Sequence, residues 1–535
     1  MNELTAGLLA APVVLLLAVG LIPSRRANAA AQPLGRLTML LTGLMLLGSL
    51  AAAVRVVTGG PIDAAFLRSG SPVPFCLGVY VDALAVVMMV LISFIGWIIA
   101  RYAIRYLQGD SGQGRFFRWM SFTLGATLLL VMSCNLVMFT AAWMLTSFGL
   151  HQLLMYYPER TWAVWAARKK FLISRLGDVM LIAALILAYR GFGTTEYREI
   201  MAAATAIQEG AAVGGAGTAW IGILLVLGAM TKSAQVPFHS WLPDTMETPT
   251  PVSALMHAGV INAGGFLVIR LSPLVSLSPI ALDLLAVVGA ATAILGSVVM
   301  LTQTSLKRSL AYSTIAQMGF MMLQCGLGAF SAALLHIVAH SAYKAHAFLS
   351  CGSVLDTAAR LKVPTLPGPS TSRLALAFAG AMALGVAIVF GTFQAVGISI
   401  LAKPGGVVLG LILTLALTQL LWKGLAAGPV GLALRSIASA FLVALMYSVA
   451  YWAMDRLVAS SISHHMIAPS ILSFVVQGLV ALGFIAVFLL QALLGPLANR
   501  GWIRALYVHA MNGFYMDIPA RRLTAWFYRQ TAPVQ

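Results

Sequence analysis

The sequence predicts an all-α polytopic membrane protein with about 14–15 transmembrane helices. Its composition is the first indication, because 60% of its 535 residues are hydrophobic and only 9% are charged, whereas a soluble domain carries about 25% charged residues. The net charge of +18 comes from 33 Lys and Arg against 15 Asp and Glu. A scarcity of acids accounts for this charge, so the composition excludes soluble, disordered, collagenous and nucleic-acid-binding chains.

The second indication is a series of fifteen mostly apolar segments, each close to the roughly 20 residues that a helix needs to cross a bilayer. The fourth and fifth are separated only by Cys134 and Asn135, and counting the thirteenth and fourteenth as one would give fourteen. In chain order the predicted spans are 5–22, 37–57, 81–100, 117–133, 136–156, 171–189, 218–236, 250–271, 280–303, 309–328, 331–355, 373–396, 405–422, 429–452 and 470–496.

The third indication is the distribution of Lys and Arg, which collect in cytoplasmic loops. Placing the N-terminus outside assigns 22 of them to the cytoplasm, including Lys169 and Lys170, and seven to the outside, including Arg270. The first span is not a cleaved signal peptide, because Arg25 and Arg26 follow the apolar run instead of preceding it. We therefore expect a multi-pass protein of the cell inner membrane with a cytoplasmic C-terminus.

Four basic residues fall inside the predicted spans, namely Arg175, Lys232, Lys344 and Arg435. A lysine at mid-membrane costs about 2.5–3.5 kcal/mol. Snorkelling to the membrane surface explains Arg435, which lies near a span end, but not Lys344, which lies near the middle of its span. We therefore predict a functional role for Lys232 and Lys344.

Histidines accompany these lysines. His336, His340 and Lys344 recur at intervals of four residues, which places them on one helical face, and His257 lies about two turns into the eighth span. Because histidine, and lysine once buried, can exchange protons near neutral pH, these four residues and Lys232 predict an ion relay. For any single histidine the alternative is a hydrogen bond to a neighbouring helix. A metal site at His336 and His340 lacks a third ligand, so none is predicted.

The seventh span is predicted to be a broken helix, because four prolines follow Lys232 at positions 237, 243, 249 and 251. Non-helical backbone at membrane depth occurs where it lines a cavity or is buried in protein, and broken helices mark ion sites in transporters. A purely structural kink is the alternative. The residues expected to support the relay are His151, Arg175, Asp178, Asp244 and Glu247, of which Arg175 and Asp178 can pair across three residues.

The sequence contains no signature of catalysis or of a bound cofactor. No nucleotide-binding loop, nucleophile triad, haem motif or iron–sulfur spacing is present, and the four cysteines show no CxxC spacing that would indicate a disulfide framework or a zinc knuckle. We therefore predict no catalytic residue, no metal and no cofactor in this chain.

The basic C-terminal tail is predicted to dock a partner, because Arg and aromatic residues are favoured at protein interfaces. The alternative is a solvated tail with interfacial anchors. The predicted docking residues are Arg500, Arg504, Tyr507, Phe514 and Tyr515.

Stretches spread over about residues 80–360 resemble the antiporter-like subunits of respiratory complex I and the Mrp antiporters, a family of proton-conducting membrane transporters. The resemblance is most specific from Lys232 to His257. The matching stretches are VDALAV, RFFRW, CNLVMFTAAW, KKFLISRLGDV, KSAQVPFHSWLPDTMETPTPVSALMHA, LKRSLAYSTIAQMGF and HSAYKAHAFLSCGSV.

This resemblance implies two inverted five-helix repeats, each with a broken helix, and a central axis that conducts protons or sodium. Lys232, His257, His340 and Lys344 fall on that axis. The implied divisions are N-terminal helices (1–115), a first repeat (116–271), a second repeat (272–425), C-terminal helices (426–496) and a cytoplasmic tail (497–535).

Three departures from the complex I pattern are visible. Complex I subunits carry Trp-Glu in the fifth span, where the acid pairs with the lysine of the seventh, whereas this chain has Trp143-Met144. The twelfth-span stretch VAIVFGTFQAVGISI contains neither charge nor proline, and the long C-terminal lateral helix is missing. An ordinary proton-pumping subunit of complex I would not be expected to lose all three.

A closer resemblance is to the membrane subunits of the DabA–DabB inorganic-carbon pumps, carried by HAGVINAGGFLVIR, QMGFMMLQCGLGAFSAALLHIVAHSAYKAHAFL and LYVHAMNGFYMD. It implies that H+ or Na+ flow through this chain energises CO2/bicarbonate accumulation. The implied partner is a DabA-like soluble zinc protein, similar to a carbonic anhydrase, on the cytoplasmic face. Zinc and the hydration chemistry would reside in that partner, so this chain would be a transporter subunit and not an enzyme.

Two alternatives stay open at the level of the sequence. One is a proton-translocating subunit of a complex I or hydrogenase-type redox assembly, and the other is a structural anchor for a soluble enzyme. The missing acid at Met144 argues against the redox subunit, and the retained buried lysines argue against an anchor.

Overall fold

The predicted spans coincide with helices in a computed structural model that describes residues 2–69, 75–215, 217–353, 371–427, 429–463, 470–497 and 499–529. Ten helices of this described part are long and apolar enough to cross a membrane, which confirms the predicted fold class. Through the first break, the helices are α1 (Asn2–Val19), α2 (Ser24–Ala29), α3 (Ala31–Gly59), α4 (Ala83–Tyr106), α5 (Gln113–Met132), α6 (Leu136–Leu154), α7 (Thr161–Phe192), α8 (Tyr197–Gln208) and α9 (Thr218–Lys232).

The remaining helices follow a non-helical stretch, residues 233–242, and a short 3-10 helix, Pro243–Glu247. A second 3-10 turn, Val260–Asn262, separates α10 from α11 and divides the eighth predicted span. These helices are α10 (Thr250–Ala258), α11 (Ala263–Arg270), α12 (Ser272–Val275), α13 (Pro279–Met300), α14 (Leu306–Gly326), α15 (Phe330–Leu349), α16 (Thr371–Ala395), α17 (Gly406–Ala426), α18 (Val430–Leu457), α19 (Ile471–Leu497), α20 (Gly501–Met511) and α21 (Ile518–Tyr528).

Small residues bring the central helices α13 and α14 into backbone contact. A Cβ atom on Gly289 would lie 2.8 Å from the carbonyl oxygen of Gly319, and one on Gly319 would lie 2.7 Å from that of Gly289. Lipid tails are as apolar as leucine, so helices in a membrane gain from such close van der Waals packing.

A β-hairpin that the sequence analysis did not predict lies between α3 and α4. Strand β1 (Ile62–Ser69) pairs antiparallel with β2 (Phe75–Val81), with an irregular register between Ala65 and Leu67. The next residue, Asp82, caps α4 by accepting a hydrogen bond from the backbone N–H of Ala85 at 2.9 Å.

Arg270, which the charge distribution assigns to the outside, does not lie in an exposed loop. Arg270 ends α11 and is buried, and its guanidinium donates to both carboxylate oxygens of Asp82 at 2.7 and 2.9 Å. A partner 188 residues away compensates the charge of Arg270 inside the protein.

We expect Asp82→Asn to lower the free energy of unfolding by about 3–5 kcal/mol, because it leaves Arg270 buried without its counter-charge. Asparagine can still cap α4, so the loss isolates the ion pair. The measurement is the thermal unfolding midpoint of the purified protein in detergent. Asp63→Asn is the matched control, since it breaks the more exposed Arg198–Asp63 pair and should change little. Equal shifts in the two variants would contradict the prediction.

Candidate functional site

Lys232 is the last residue of α9, and Ser233 is the residue at which the chain leaves the helix. Ala234 adopts a left-handed backbone conformation with φ 49°, which costs a non-glycine residue of order 1–3 kcal/mol. The break is held by hydrogen bonds from the N–H of Gln235 to the carbonyl of Met230 at 3.0 Å and from Ser233 Oγ to the carbonyl of Ile261 at 2.6 Å. The predicted broken helix carrying Lys232 is therefore present.

The Lys232 ammonium is satisfied entirely by neutral groups. Its Nζ donates to the Trp143 carbonyl at 3.0 Å and to the hydroxyls of Thr146 and Ser147, both at 2.7 Å. It also lies 4.3 Å from the centre of the Trp143 ring. Among the described residues no carboxylate forms an ion pair with it. A hydroxyl can donate as well as accept, so these partners can serve Lys232 with or without its extra proton.

A second lysine, Lys170, belongs to the same cluster and was missed by sequence reasoning. Because α7 begins at Thr161, ten residues before the predicted span, Lys169 and Lys170 belong to a helix and not to an exposed loop, and both side chains are buried. Lys170 Nζ donates to the Ser147 carbonyl at 2.7 Å, so Ser147 contacts both lysines. Placing the start of the span at the first apolar residue hid this position, although KKFLISRLGDV was among the matching stretches.

The predicted pair on α7 forms, with Arg175 Nη2 2.6 Å from Asp178 Oδ2. Asp178 is buried, whereas the Arg175 side chain is partly exposed. His151 lies against the same helix, with its Nδ1 3.2 Å from the Ala167 carbonyl and its ring tilted by 55° against that of Phe171. These residues surround the Lys170–Lys232 cluster without touching Lys232 by a direct hydrogen bond.

The other predicted relay residues form a second cluster on α10 and α15, beside α14. The rings of His336 and His340 stack 6.0 Å apart, and His340 Nε2 lies 3.2 Å from the His257 carbonyl. His257 Nδ1 lies 3.0 Å from the Thr314 hydroxyl, and its ring stacks on Phe348 at 4.3 Å. The predicted face of α15 and the residue from α10 are thus brought together.

Lys344 completes this second cluster one turn further along α15. It is buried, and its Nζ donates to the Leu310 carbonyl of α14 at 3.1 Å. In the part of the chain that the structure describes, His257 Nε2, His340 Nδ1 and His336 Nε2 are buried and make no hydrogen bond to protein. An imidazole with one nitrogen held and the other open can take up a proton on one side and release it on the other.

The two clusters meet at the break between α10 and α11. Asn262 donates to the Ala258 carbonyl at 3.0 Å and to Ser341 Oγ at 2.8 Å, and Ser341 is the residue after His340. Ser233, the residue after Lys232, bonds the neighbouring carbonyl of Ile261. Polar groups of the break therefore lie between residues adjacent to the two clusters, and no hydrogen bond among the described residues joins Lys232 to His257 directly.

The acids beyond the first break are engaged by basic residues. Lys169 Nζ lies 2.6 Å from both Asp244 Oδ2 and Asp517 Oδ1, and the lysine side chain is only 1% exposed. Glu247 pairs with Arg160 at 3.0 Å near the surface. Lys169 thus ties the segment after the break to the C-terminal tail.

A polar cavity of about 440 Å³ lies next to this junction, between the break, α14 and the tail. The polar side chains that line this cavity can bind water, and they include both acidic and basic groups. They include His239, Asp244, Arg308, Tyr312, Asp517 and Arg521.

The predicted docking residues lie on and around α20. Arg500, Arg504, Tyr507 and Tyr515 are exposed, whereas Phe514 packs partly against the main core. The tail therefore presents one face outward and is held to the bundle by the other.

Comparison with known proteins places this arrangement in a family. Residues 133–365 match the family described as NADH:quinone oxidoreductase/Mrp antiporter, TM, and residues 66–117 match the N-terminus of complex I chain 5. The chain is similar to a probable inorganic carbon transporter subunit DabB2 of Halothiobacillus neapolitanus, with 40% identity covering 84% of this chain and 81% of the relative.

Other relatives are matched over a shorter region. A probable DabB subunit of Hydrogenovibrio crunogenus is 39% identical over 54% of this chain and 55% of its own. A chloroplastic NAD(P)H-quinone oxidoreductase subunit 5 of Nandina domestica is 38% identical over 52% of this chain and 38% of its own.

Two solved structures share the fold. The Mrp complex of Dietzia sp. DQ12-45-1b has a TM-score of 0.56 and 24% identity, over 98% of this chain and 57% of the other. An archaeal membrane-bound sulfane sulfur reductase has a TM-score of 0.54 and 17% identity, over 96% and 99%. The chain belongs to the DabB family of inorganic carbon transporter subunits, within the antiporter-like membrane proteins of complex I and the Mrp antiporters.

Proposed function

We propose that this chain is the H+- or Na+-conducting subunit of an inorganic-carbon (CO2/bicarbonate) pump of the cell inner membrane. Ion flow through it drives a DabA-like soluble zinc protein, similar to a carbonic anhydrase, on the cytoplasmic face. The observation that carries the proposal is the pair of buried clusters around Lys232 and Lys344, whose lysines have no carboxylate partner among the described residues. Buried lysines are costly in a membrane, and a structural anchor would have no use for them.

The energetics permit this coupling. A hundredfold bicarbonate gradient costs about 2.7 kcal/mol, at about 1.4 kcal/mol per tenfold. One elementary charge crossing roughly 150 mV releases about 3.5 kcal/mol. One proton per turnover is therefore enough in principle.

The surroundings of Lys232 favour this function over a redox-linked proton pump. In the complex I pattern an acid follows the fifth-span tryptophan, whereas Met144 follows Trp143 here, and Lys232 instead bonds the Trp143 carbonyl and two hydroxyls. Co-purification of the native complex with metal analysis separates the two functions. A co-purifying soluble protein that contains zinc supports the proposal, and co-purifying quinone-reductase subunits would replace it with the redox alternative.

The tail supplies a physical connection between the partner and the ion path. Its outward face carries the exposed Arg504 and Tyr507, while Asp517 reaches inward to Lys169 and thereby to Asp244 beside the first break. A partner that binds the outward face can therefore act on the polar cavity through two ion pairs that share one buried lysine.

We expect the two faces of the tail to have separable effects. Arg504→Glu with Tyr507→Ala should release most of the soluble partner, because it reverses a charge and removes an aromatic contact at the surface. Asp517→Asn should leave the partner bound but reduce carbon uptake severalfold, because it loosens the tail from Lys169. The measurements are co-purification and uptake of labelled bicarbonate at equal expression. Full retention of the partner by the outward variant would place docking elsewhere. Deleting 500–535 should also release the partner, but it removes both faces together.

A further inference from the structure

Two cysteines that lie 58 residues apart meet at the end of the bundle opposite the tail. Cys76 lies on β2 and Cys134 lies between α5 and α6, and their sulfur atoms are 3.8 Å apart. Both side chains are buried. Asn135 donates to the Cys76 carbonyl at 2.7 Å and caps α6 through Met138, so it fixes the two segments against each other.

The backbone around the two sulfur atoms is closely packed and holds both segments in place. A Cβ on Gly78 would lie 3.2 Å from Cys134 Sγ and 2.5 Å from the Ala64 carbonyl, so only glycine fits there. The Cys134 carbonyl accepts from the N–H of Tyr197, which ties the same turn to α8.

We propose that Cys76 and Cys134 form a disulfide that fastens the hairpin to the α5–α6 junction. The inference rests on the proposed orientation, in which the hairpin and this junction both face the outside of the cell. Disulfides form and persist in such oxidising compartments, and two buried sulfurs at 3.8 Å need only a small shift to bond.

The oxidant is a disulfide-bearing molecule, which reacts by thiol–disulfide exchange before the hairpin packs. One cysteine thiolate attacks a sulfur of that disulfide and forms a mixed disulfide with loss of one thiolate. The thiolate of the second cysteine then attacks the sulfur of the first cysteine in this mixed disulfide. The bond to the oxidant breaks and the Cys76–Cys134 bond forms. The two cysteines lose two electrons and two protons, and the oxidant leaves as a dithiol.

A metal site is the competing use of the same sulfurs. A carboxylate oxygen of Glu196 and the two sulfurs all lie within 4.8 Å of one another. Structural zinc sites usually have four protein ligands, whereas this group has three among the described residues. Arg68 lies opposite Cys76 in the hairpin register, and its charge interacts with Cys76 and Glu196. A guanidinium at this position repels a metal cation and favours the disulfide.

The test counts free thiols in membranes treated with a maleimide of defined mass after denaturation, with and without prior reduction. We expect two labelled cysteines before reduction and four after it. Cys76→Ser and Cys134→Ser should each label three cysteines under both conditions. The matched control, Cys325→Ser, should label one before reduction and three after it.

Four labelled cysteines without reduction would overturn the disulfide. Zinc at one atom per chain that disappears in Cys76→Ser would overturn it in favour of a metal site. A reporter enzyme fused to the C-terminus, active on only one side of the membrane, tests the orientation separately. It shows whether the C-terminus is cytoplasmic as proposed. Carbon uptake by the Cys76→Ser, Cys134→Ser double variant should remain close to wild type, so a failure of the disulfide is distinguishable from a failure of the proposed function.

Discussion

Lys232→Ala and Lys344→Ala are each expected to abolish ion-driven carbon uptake while the protein still inserts into the membrane. Each variant removes the ammonium group of one cluster, which bonds the Thr146 and Ser147 hydroxyls in the first and the Leu310 carbonyl in the second. A relay interrupted in either cluster cannot deliver its ion to the other. The measurement is growth at low CO2, together with uptake of labelled bicarbonate, in cells that lack their own pump.

Two sets of variants control this result. Lys423→Ala removes an exposed lysine at the end of α17 and should leave uptake unchanged. His257→Ala and His340→Ala should cause weaker defects, because water can replace one imidazole in a hydrogen-bonded chain. Wild-type uptake in a variant with both Lys232→Ala and Lys344→Ala would rule out a relay through these lysines.

Restoring the acid of the complex I pattern, with Met144→Glu, is expected to slow carbon uptake strongly. Lys232 bonds the carbonyl of the preceding residue, Trp143, so the new carboxylate enters the immediate surroundings of the ammonium. In a low-dielectric site the attraction between opposite charges is far stronger than in water. The carboxylate should therefore hold the proton on Lys232. The lysine would then no longer alternate between its charged and neutral forms.

Met144→Gln is the matched control, because glutamine has nearly the shape of glutamate without its charge. It should transport at close to the wild-type rate if charge, and not size, is responsible. The comparison requires equal amounts of inserted protein and equal partner binding. Uptake by Met144→Glu that equals or exceeds wild type would show that Lys232 does not work by losing its proton.

The broken helix at Lys232 illustrates what sequence reasoning predicted well. Four prolines close together after a buried lysine are incompatible with a continuous helix, and α9 ends at Lys232. The second break, at Val260–Asn262, was missed because it contains no proline. The backbone turns at Gly259, where φ is −122° and ψ is −79°, and Asn262 bonds Ser341, the residue after His340.

The sequence by itself determined the membrane fold, the family and the positions of Lys232, Lys344 and the histidines on their helices. These follow from local properties, since bilayer thickness sets the length of apolar segments and the cost of burying charge distinguishes a lysine inside a span. Only the tertiary structure decided that Lys170 joins Lys232, that Lys169 binds the tail, that Arg270 pairs with Asp82, and that Cys76 meets Cys134. Each of these contacts joins segments far apart in the chain, and a charge or thiol changes its role according to the partner that packing brings to it.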